Sequence, residues 1–348
     1  MSTSSFTSLQ RVLTSIGQKE PDRVPFFLLV TFHGAKELGI SLREYFSSAE
    51  YLVEGQLRLR AKYRQDCYYN FFYASLEAEA FGGETIFIED GPPNSGTPVI
   101  RKAEDILSLQ PPSVADTACL QKVLEAHRLL KAQIGDEAPI IGVVMSPFSL
   151  PVMQMGFDHY LDLMFERPDL FERLMQINET FCVEWANAQL AAGATAICYF
   201  DPVSSTTIIT RDQYLKTGYP VACRTISRIK GPTATHFASG RCLPIVDDVA
   251  QTGTAIIGTS TDEGLRSLKL AARGRLTLLG NLNGIEMRRW TEQEAENHVK
   301  TAIAGAGKGG GFILADNHGE IPYQVPDNVL LAISEAVHTW GRYPLDWI

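Results

Sequence analysis

PIIGVVM at Pro139–Met145 and ATAICYF at Ala194–Phe200 bracket an amphipathic stretch, Tyr160 to Ala192, in which Leu161, Met164, Leu170, Leu174 and Ile177 recur at roughly helical spacing. Both runs are too short for a helix, and neither alternates apolar with polar residues. That is the pattern of parallel strands covered on both faces. The unit repeats outward in both directions. Upstream lie VPFFLLVT (Val24–Thr31) and CYYNFF (Cys67–Phe72). Downstream lie TATHF (Thr233–Phe237), AIIGT (Ala255–Thr259), LTLLGNL (Leu276–Leu282) and GFILA (Gly311–Ala315). Eight such runs, alternating with helix-length segments, predict an α/β chain folded as a (β/α)8 TIM barrel. Phe81–Val114 breaks the rhythm with TIFIED, the turn-rich GPPNSGTPV and PPS. This predicts a small β-hairpin insertion at the barrel mouth, between the second and third units. No linker, low-complexity tract or internal repeat divides the sequence, so residues 1–348 read as a single barrel domain.

Composition narrows the function classes. An apolar fraction of 45% with 20% charged residues excludes a disordered or fibrous chain. Forty acidic against 31 basic residues give a net charge of −9, with no basic block, which argues against nucleic acid and against an anionic membrane surface. The six cysteines, at 67, 119, 182, 198, 223 and 242, form no CxxC and suggest neither a disulfide framework nor a local zinc knuckle. Residues 1–20 carry Arg11, Lys19 and Glu20 and lack a continuous apolar h-region, so no signal peptide is expected. The uncharged window Ala138–Phe157 is broken by Pro139, Pro147 and Pro151, and reads as a buried strand plus loop rather than a membrane span. The expectation is a cytoplasmic enzyme.

In such barrels the chemistry sits where strands end and the following loops begin. The residues just past each run are therefore the candidates: His33, Tyr73 to Glu79, Ser146, Asp201, His236, Thr259 to Glu263, Asn281, and Asp316 with Asn317 and His318. Three of the seven histidines fall on this rim. His236 and His318 are read as functional, whereas His33 reads as a rim histidine bonded to a neighbouring carbonyl, kept among the substrate contacts. Glu77 and Glu79 lie two apart on a helical segment, so at most one faces the cavity. Asp201 at a strand end must be paired, metal-bound or protonated, or else caps the Asp-Pro turn that follows it. Aromatics crowd the same rim, including Phe32, Tyr73, Tyr199 and Phe237; those facing inward would line a cavity suited to a flat or weakly polar ligand.

Six segments, taken in order, carry a family resemblance: DRVPFFLLVTFHGAKELG, LEAEAFGGE, YFDPVSS, HFASGRCLPIVDDVAQTG, LLGNLN and ILADNHGEIPYQVPDNV. From about residue 8 to residue 345 the chain resembles the uroporphyrinogen decarboxylase superfamily. Its decarboxylases have an arginine-rich RQAGRY-type segment after strand one and a catalytic aspartate after strand two. Here those places read VTFHGAKELG and FYASL, with Ala74 in the aspartate's position. The chain is more similar to the corrinoid-dependent methyltransferases, the methylcobamide:coenzyme M enzymes and the methyltransferases of O-demethylase systems. The resemblance implies methyl transfer between a small methyl donor or acceptor, a methoxylated aromatic for instance, and cobalamin-type corrinoid carried by a separate corrinoid protein. No D-x-H-x-x-G corrinoid segment occurs in this chain. Coenzyme M members bind zinc through H-x-C after strand five and a cysteine after strand eight; here Ala238 and His318 stand at the two cysteine positions. The resemblance thus implies His236, His318 and Asp201 as catalytic residues, with Phe32, His33, Tyr73, Glu79, Tyr199, Phe237 and Asn281 as substrate contacts. It leaves zinc on His236 and His318, with a carboxylate from Asp201, Glu79, Asp262 or Glu263, beside metal-free general-acid chemistry. A decarboxylase, a non-catalytic tetrapyrrole-binding barrel and a homodimer complete the expectations.

Overall fold

A computed structural model describes residues 6–348. The first five residues, part of the stretch read as lacking an h-region, lie outside the described residues. Seven parallel strands form one curled sheet in chain order: β1 (Tyr68–Tyr69), β4 (Ile140–Met145), β5 (Ala196–Phe200), β6 (Thr233–His236), β7 (Ile256–Gly258), β8 (Thr277–Leu282) and β9 (Phe312–Asp316). Helices cover the outer face. The two intervening strands, β2 (Thr85–Ile86) and β3 (Asn94–Ser95), form the expected antiparallel hairpin, with Thr85 opposite Ser95.

Period-two alternation sorts the strand side chains. Ile141, Cys198, Ala234, Ile256, Leu279 and Ile313 fill the barrel interior. Their neighbours Ile140, Val144, Ile197 and Tyr199 pack outward against Leu130, Phe181, Trp185 and Ala186. The long helical segment is two helices, Phe157–Glu166 and Pro168–Ala191. Pro168 divides them, because it disfavours the α conformation of Arg167 and starts the second helix as its first residue.

One expected strand does not form a regular ladder. Val24–Thr31 makes a single parallel bridge, Phe26 with Leu314 of β9. Pro25 has no amide hydrogen, the Phe27 amide bonds the Leu314 carbonyl at 2.8 Å, and the Phe26, Leu28 and Leu29 amides are satisfied by side chains. Asp66 Oδ2 accepts from the Phe26 amide at 3.0 Å and Gln65 Oε1 from the Leu28 amide at 2.9 Å. The buried Asp66 carboxylate also holds Arg11 (2.7 Å) and Arg23 (2.6 Å). The segment occupies the eighth place between β9 and β1 and closes the barrel through a few backbone bonds, such as Phe27 N–H to the Leu314 carbonyl and Asp66 N–H to the Phe26 carbonyl (both 2.8 Å), together with these polar side chains rather than a regular ladder. Among the described residues, no helix is long and apolar enough to cross a membrane.

Candidate active site at the barrel mouth

A cavity of about 270 Å³ opens at the C-terminal rim of the strands, partly covered by Pro92 and Pro93 of the hairpin. Phe32, Tyr69, Phe72, Tyr73, Phe200 and Trp185 supply most of its aromatic wall. Among the described residues, its ionisable groups other than tyrosine and cysteine are three carboxyls, Glu77, Asp316 and Glu320, and two histidines, His236 and His318; no lysine or arginine lines it.

Each carboxyl is tied to a backbone amide on one side. Glu77, on the helix Leu76–Ala80, is 5% exposed, and both its oxygens lie within reach of the Met145 amide at 3.0 and 2.9 Å. Burial raises its pKa to about 8 against the relief given by that amide; the Trp185 indole lowers it further without reaching hydrogen-bonding geometry. Asp316, at the end of β9, accepts from the Leu29 amide at 2.9 Å, and burial raises its pKa to about 7. Glu320 Oε1 accepts from the Phe32 amide at 2.8 Å, while its Oε2 is buried without a partner. Burial, and behind it the neighbouring Asp316, pushes the Glu320 carboxyl well above the carboxylate range. A buried anion with no counter-charge is costly, so these groups take up protons instead.

His236 ends β6, is 8% exposed and stacks on Phe200 at 5.5 Å. Its Nδ1 accepts the Ala238 amide hydrogen at 3.0 Å, which puts the ring proton on Nε2. Burial, then His318, lowers its pKa to about 4, so the ring is neutral. Gly258 of β7 is shaped to this ring: a Cβ there would sit 2.6 Å from His236 Cδ2. His318 is half-buried on the cavity wall with Nδ1 unpartnered, and burial lowers its pKa, partly offset by Asp262.

The structure brings His236, His318, Phe32 and Tyr73 together on the cavity wall. The other candidates lie elsewhere, each for a stated reason. Asp201 is 1% exposed and turned away, its Oδ1 accepting from Ser146 (2.5 Å) and Ser149 (2.7 Å). Burial raises its pKa against the lowering by these serines. Tyr199 alternates with the inward Cys198 and Phe200 and packs in the helix layer; Phe237 does the same after His236. Glu79 lies behind the wall, accepting from Tyr73 Oη and Thr85 Oγ1, both at 2.8 Å, and so ties the hairpin to the mouth. Asn281 donates to the Ser260 carbonyl at 2.7 Å. His33 is buried behind Phe32, stacked on it at 5.4 Å, with its pKa lowered to about 3 by burial and then Lys36. The carbonyl it faces is that of Pro322, which opposes the lowering, although neither ring nitrogen reaches good hydrogen-bonding geometry.

The residues present do not fit a zinc ion. A neutral histidine that accepts a hydrogen bond at Nδ1 carries its proton on Nε2, the atom a metal would need. Ala238 offers no thiolate, and among the described residues no three His, Cys, Asp or Glu side chains cluster as a metal-binding group. Of the remaining carboxylate candidates, Glu263 accepts from the Cys242 and Leu243 amides, and Asp262 is exposed toward Arg241.

A parallel barrel with a ligand-sized, ionisable cavity where its strands end is the arrangement of a barrel enzyme. The chain belongs to the uroporphyrinogen decarboxylase family, whose model, Uroporphyrinogen decarboxylase (URO-D), matches residues 7–340. It is 25% identical over 355 residues to the uroporphyrinogen decarboxylase of Xylella fastidiosa, covering 95% of this chain and 98% of that protein. With the enzyme of that name from Methylococcus capsulatus it shares 27% identity over 324 residues, 90% of each chain. Among solved structures, a methyltransferase from Methanosarcina mazei superposes with a TM-score of 0.86 at 20% identity, covering 96% of this chain and 99% of that one. A B12-independent methionine synthase from Shewanella sp. W3-18-1 follows with a TM-score of 0.55 at 15% identity, over 85% and 89% of the two chains. These two likenesses are of fold.

Proposed function

We propose that this chain is the methyltransferase component of a corrinoid-dependent system. It moves a methyl group between a small methylated substrate, a methoxylated aromatic, and the corrinoid of a separate cytoplasmic protein. The observation that carries the reading is an aromatic cavity holding three carboxyls and no cation. Uroporphyrinogen, a polycarboxylate, needs cationic partners that this wall lacks. The Methanosarcina mazei protein of the same fold is described as a methyltransferase, which agrees with this reading.

The chain's own groups then divide the work. The aromatic wall receives the ring of the substrate and excludes water. When the oxygen–methyl bond breaks, its electron pair stays on oxygen and a proton must arrive there. Glu77, protonated and with a pKa of about 8, is matched to that transfer near neutral pH and becomes carboxylate as the phenol forms. His236 is too weakly acidic as a neutral ring to give up its proton, but its Nε2–H can donate a hydrogen bond to the charge growing on oxygen. When docked, the partner's reduced corrinoid would supply the electron pair that takes the methyl group.

The test is methyl transfer to free reduced cobalamin from a panel of methoxyarenes, methylamines and methylated thiols. Transfer from the methoxyarenes is expected. No turnover with any donor, together with carbon dioxide release from uroporphyrinogen, would replace this reading by decarboxylation.

A further inference from the structure

The polar groups of the cavity restrict the substrate more tightly than its aromatic wall does. Glu77 enters from the helix after β1, Asp316 from the end of β9, and Glu320 from the loop that follows. The three carboxyls face one space from two sides of the mouth. A second, independent feature lies between them on the same wall. Asn70 is 1% exposed; its Nδ2 donates to the Val123 carbonyl at 2.9 Å, and its Oδ1 is buried with no partner. Glu320 Oε2 is a second buried oxygen left unpaired. Buried polar atoms without partners are rare, and on a cavity wall they mark where a ligand completes the bonding.

We infer that the site selects uncharged, oxygen-rich methoxyarenes and rejects arenes that carry a ring carboxylate. This rests on the methoxyarene reading above and narrows it. Either protonation state of the wall gives the same selectivity. Ionised, the three carboxyls repel a bound anion; protonated, they offer no positive charge to offset its desolvation. A carboxylate transferred into such a space loses its water and finds no cation. An ether or phenol oxygen carries no charge to desolvate, accepts hydrogen bonds from protonated carboxyls and from His236 Nε2–H, and a phenol hydroxyl donates to Asn70 Oδ1. The discrimination follows the same logic by which a site built to bond one group rejects an analogue that leaves its polar atoms unpaired.

The experiment is calorimetric binding to the isolated protein at neutral pH, with no corrinoid present. Guaiacol and veratrole are compared with vanillate and veratrate, which add only the carboxylate, and with choline as a cationic probe. Guaiacol and veratrole are expected to bind at least ~10-fold more tightly than their carboxylate counterparts. Asp316→Asn, which removes a carboxyl partly ionised at neutral pH, is expected to narrow that gap, whereas Glu77→Gln, which replaces a protonated carboxyl by a neutral amide, is expected to leave it. Equal or tighter binding of the carboxylates, a gap unmoved in Asp316→Asn, or binding of choline in place of the arenes would each overturn the inference. Arene binding that shows the gap while methyl transfer fails would remove the methyltransferase reading and leave the selectivity standing.

Discussion

Two sets of buried carboxyl groups sit at opposite ends of this barrel and are treated in opposite ways. At the closing seam, Asp66 is 1% exposed and surrounded by Arg11, Arg23, the Ser8 hydroxyl and the Phe26 amide. At the mouth, Glu77, Asp316 and Glu320 each hold a backbone amide but face a cavity that no cation lines. The same chemical group thus serves stability where its charge is paired and, under the proposed function, is left for chemistry where it is not. The difference lies in partners rather than depth: Asp66, Glu77 and Asp316 are all nine-tenths or more buried.

The contrast breaks most visibly at Asp66. Replacing it by Ala leaves two arginines without their buried partner, and the expected loss is about 3–5 kcal/mol of unfolding free energy in urea. A loss below about 1 kcal/mol would show that the seam does not depend on this charge. At the mouth the order of effects reverses. Glu77→Gln should fold and, at neutral pH, be at least as stable as the wild type, because it no longer titrates, while methyl transfer falls by about 10²–10⁴-fold, the range for removing a proton donor. Gly258→Ala should come next: its new Cβ pushes the His236 ring off Phe200, with roughly 1–3 kcal/mol lost to overpacking and a smaller loss of turnover.

The remaining effect is a slope with pH. Glu77 has a folded pKa of about 8 against an ordinary 4.5, and Asp316 about 7 against 3.8. Between those limits the native protein keeps protons that the unfolded chain has released, so stability is fullest below the ordinary values and falls as pH rises through the folded ones. Thermal melts of Glu77→Gln should fall less steeply over that window than those of the wild type. Parallel slopes would place the Glu77 pKa in the ordinary range.

The barrel was legible because its strands are short, apolar and punctuated, and seven of the eight runs form the sheet. Val24–Thr31 has strand composition but lacks the ladder, since Pro25 removes a donor and Asp66 and Gln65 take over other bonds from far along the chain. His236 and His318 were found by their place at strand ends, and both line the cavity. The LEAEA spacing showed that one of Glu77 and Glu79 at most faces inward; which one depends on the phase of a five-residue helix, set by the Met145 amide and the hairpin. Asp201 also sits at a strand end, but Ser146 and Ser149 turn its side chain away from the cavity. Glu320 lies four residues past β9 and reaches the wall only because its loop folds back to the Phe32 amide, a contact without a local sequence signal.

The central claim is that the unpaired carboxyls at the mouth serve catalysis on an uncharged methoxyarene. Single-turnover transfer of a methyl group from veratrole to reduced cobalamin, wild type beside Glu77→Gln, tests it most directly. The account predicts methylcobalamin and guaiacol from the wild type, with a rate at least ~100-fold lower in the folded variant. Equal rates in the two proteins, or no transfer by the wild type, would contradict it.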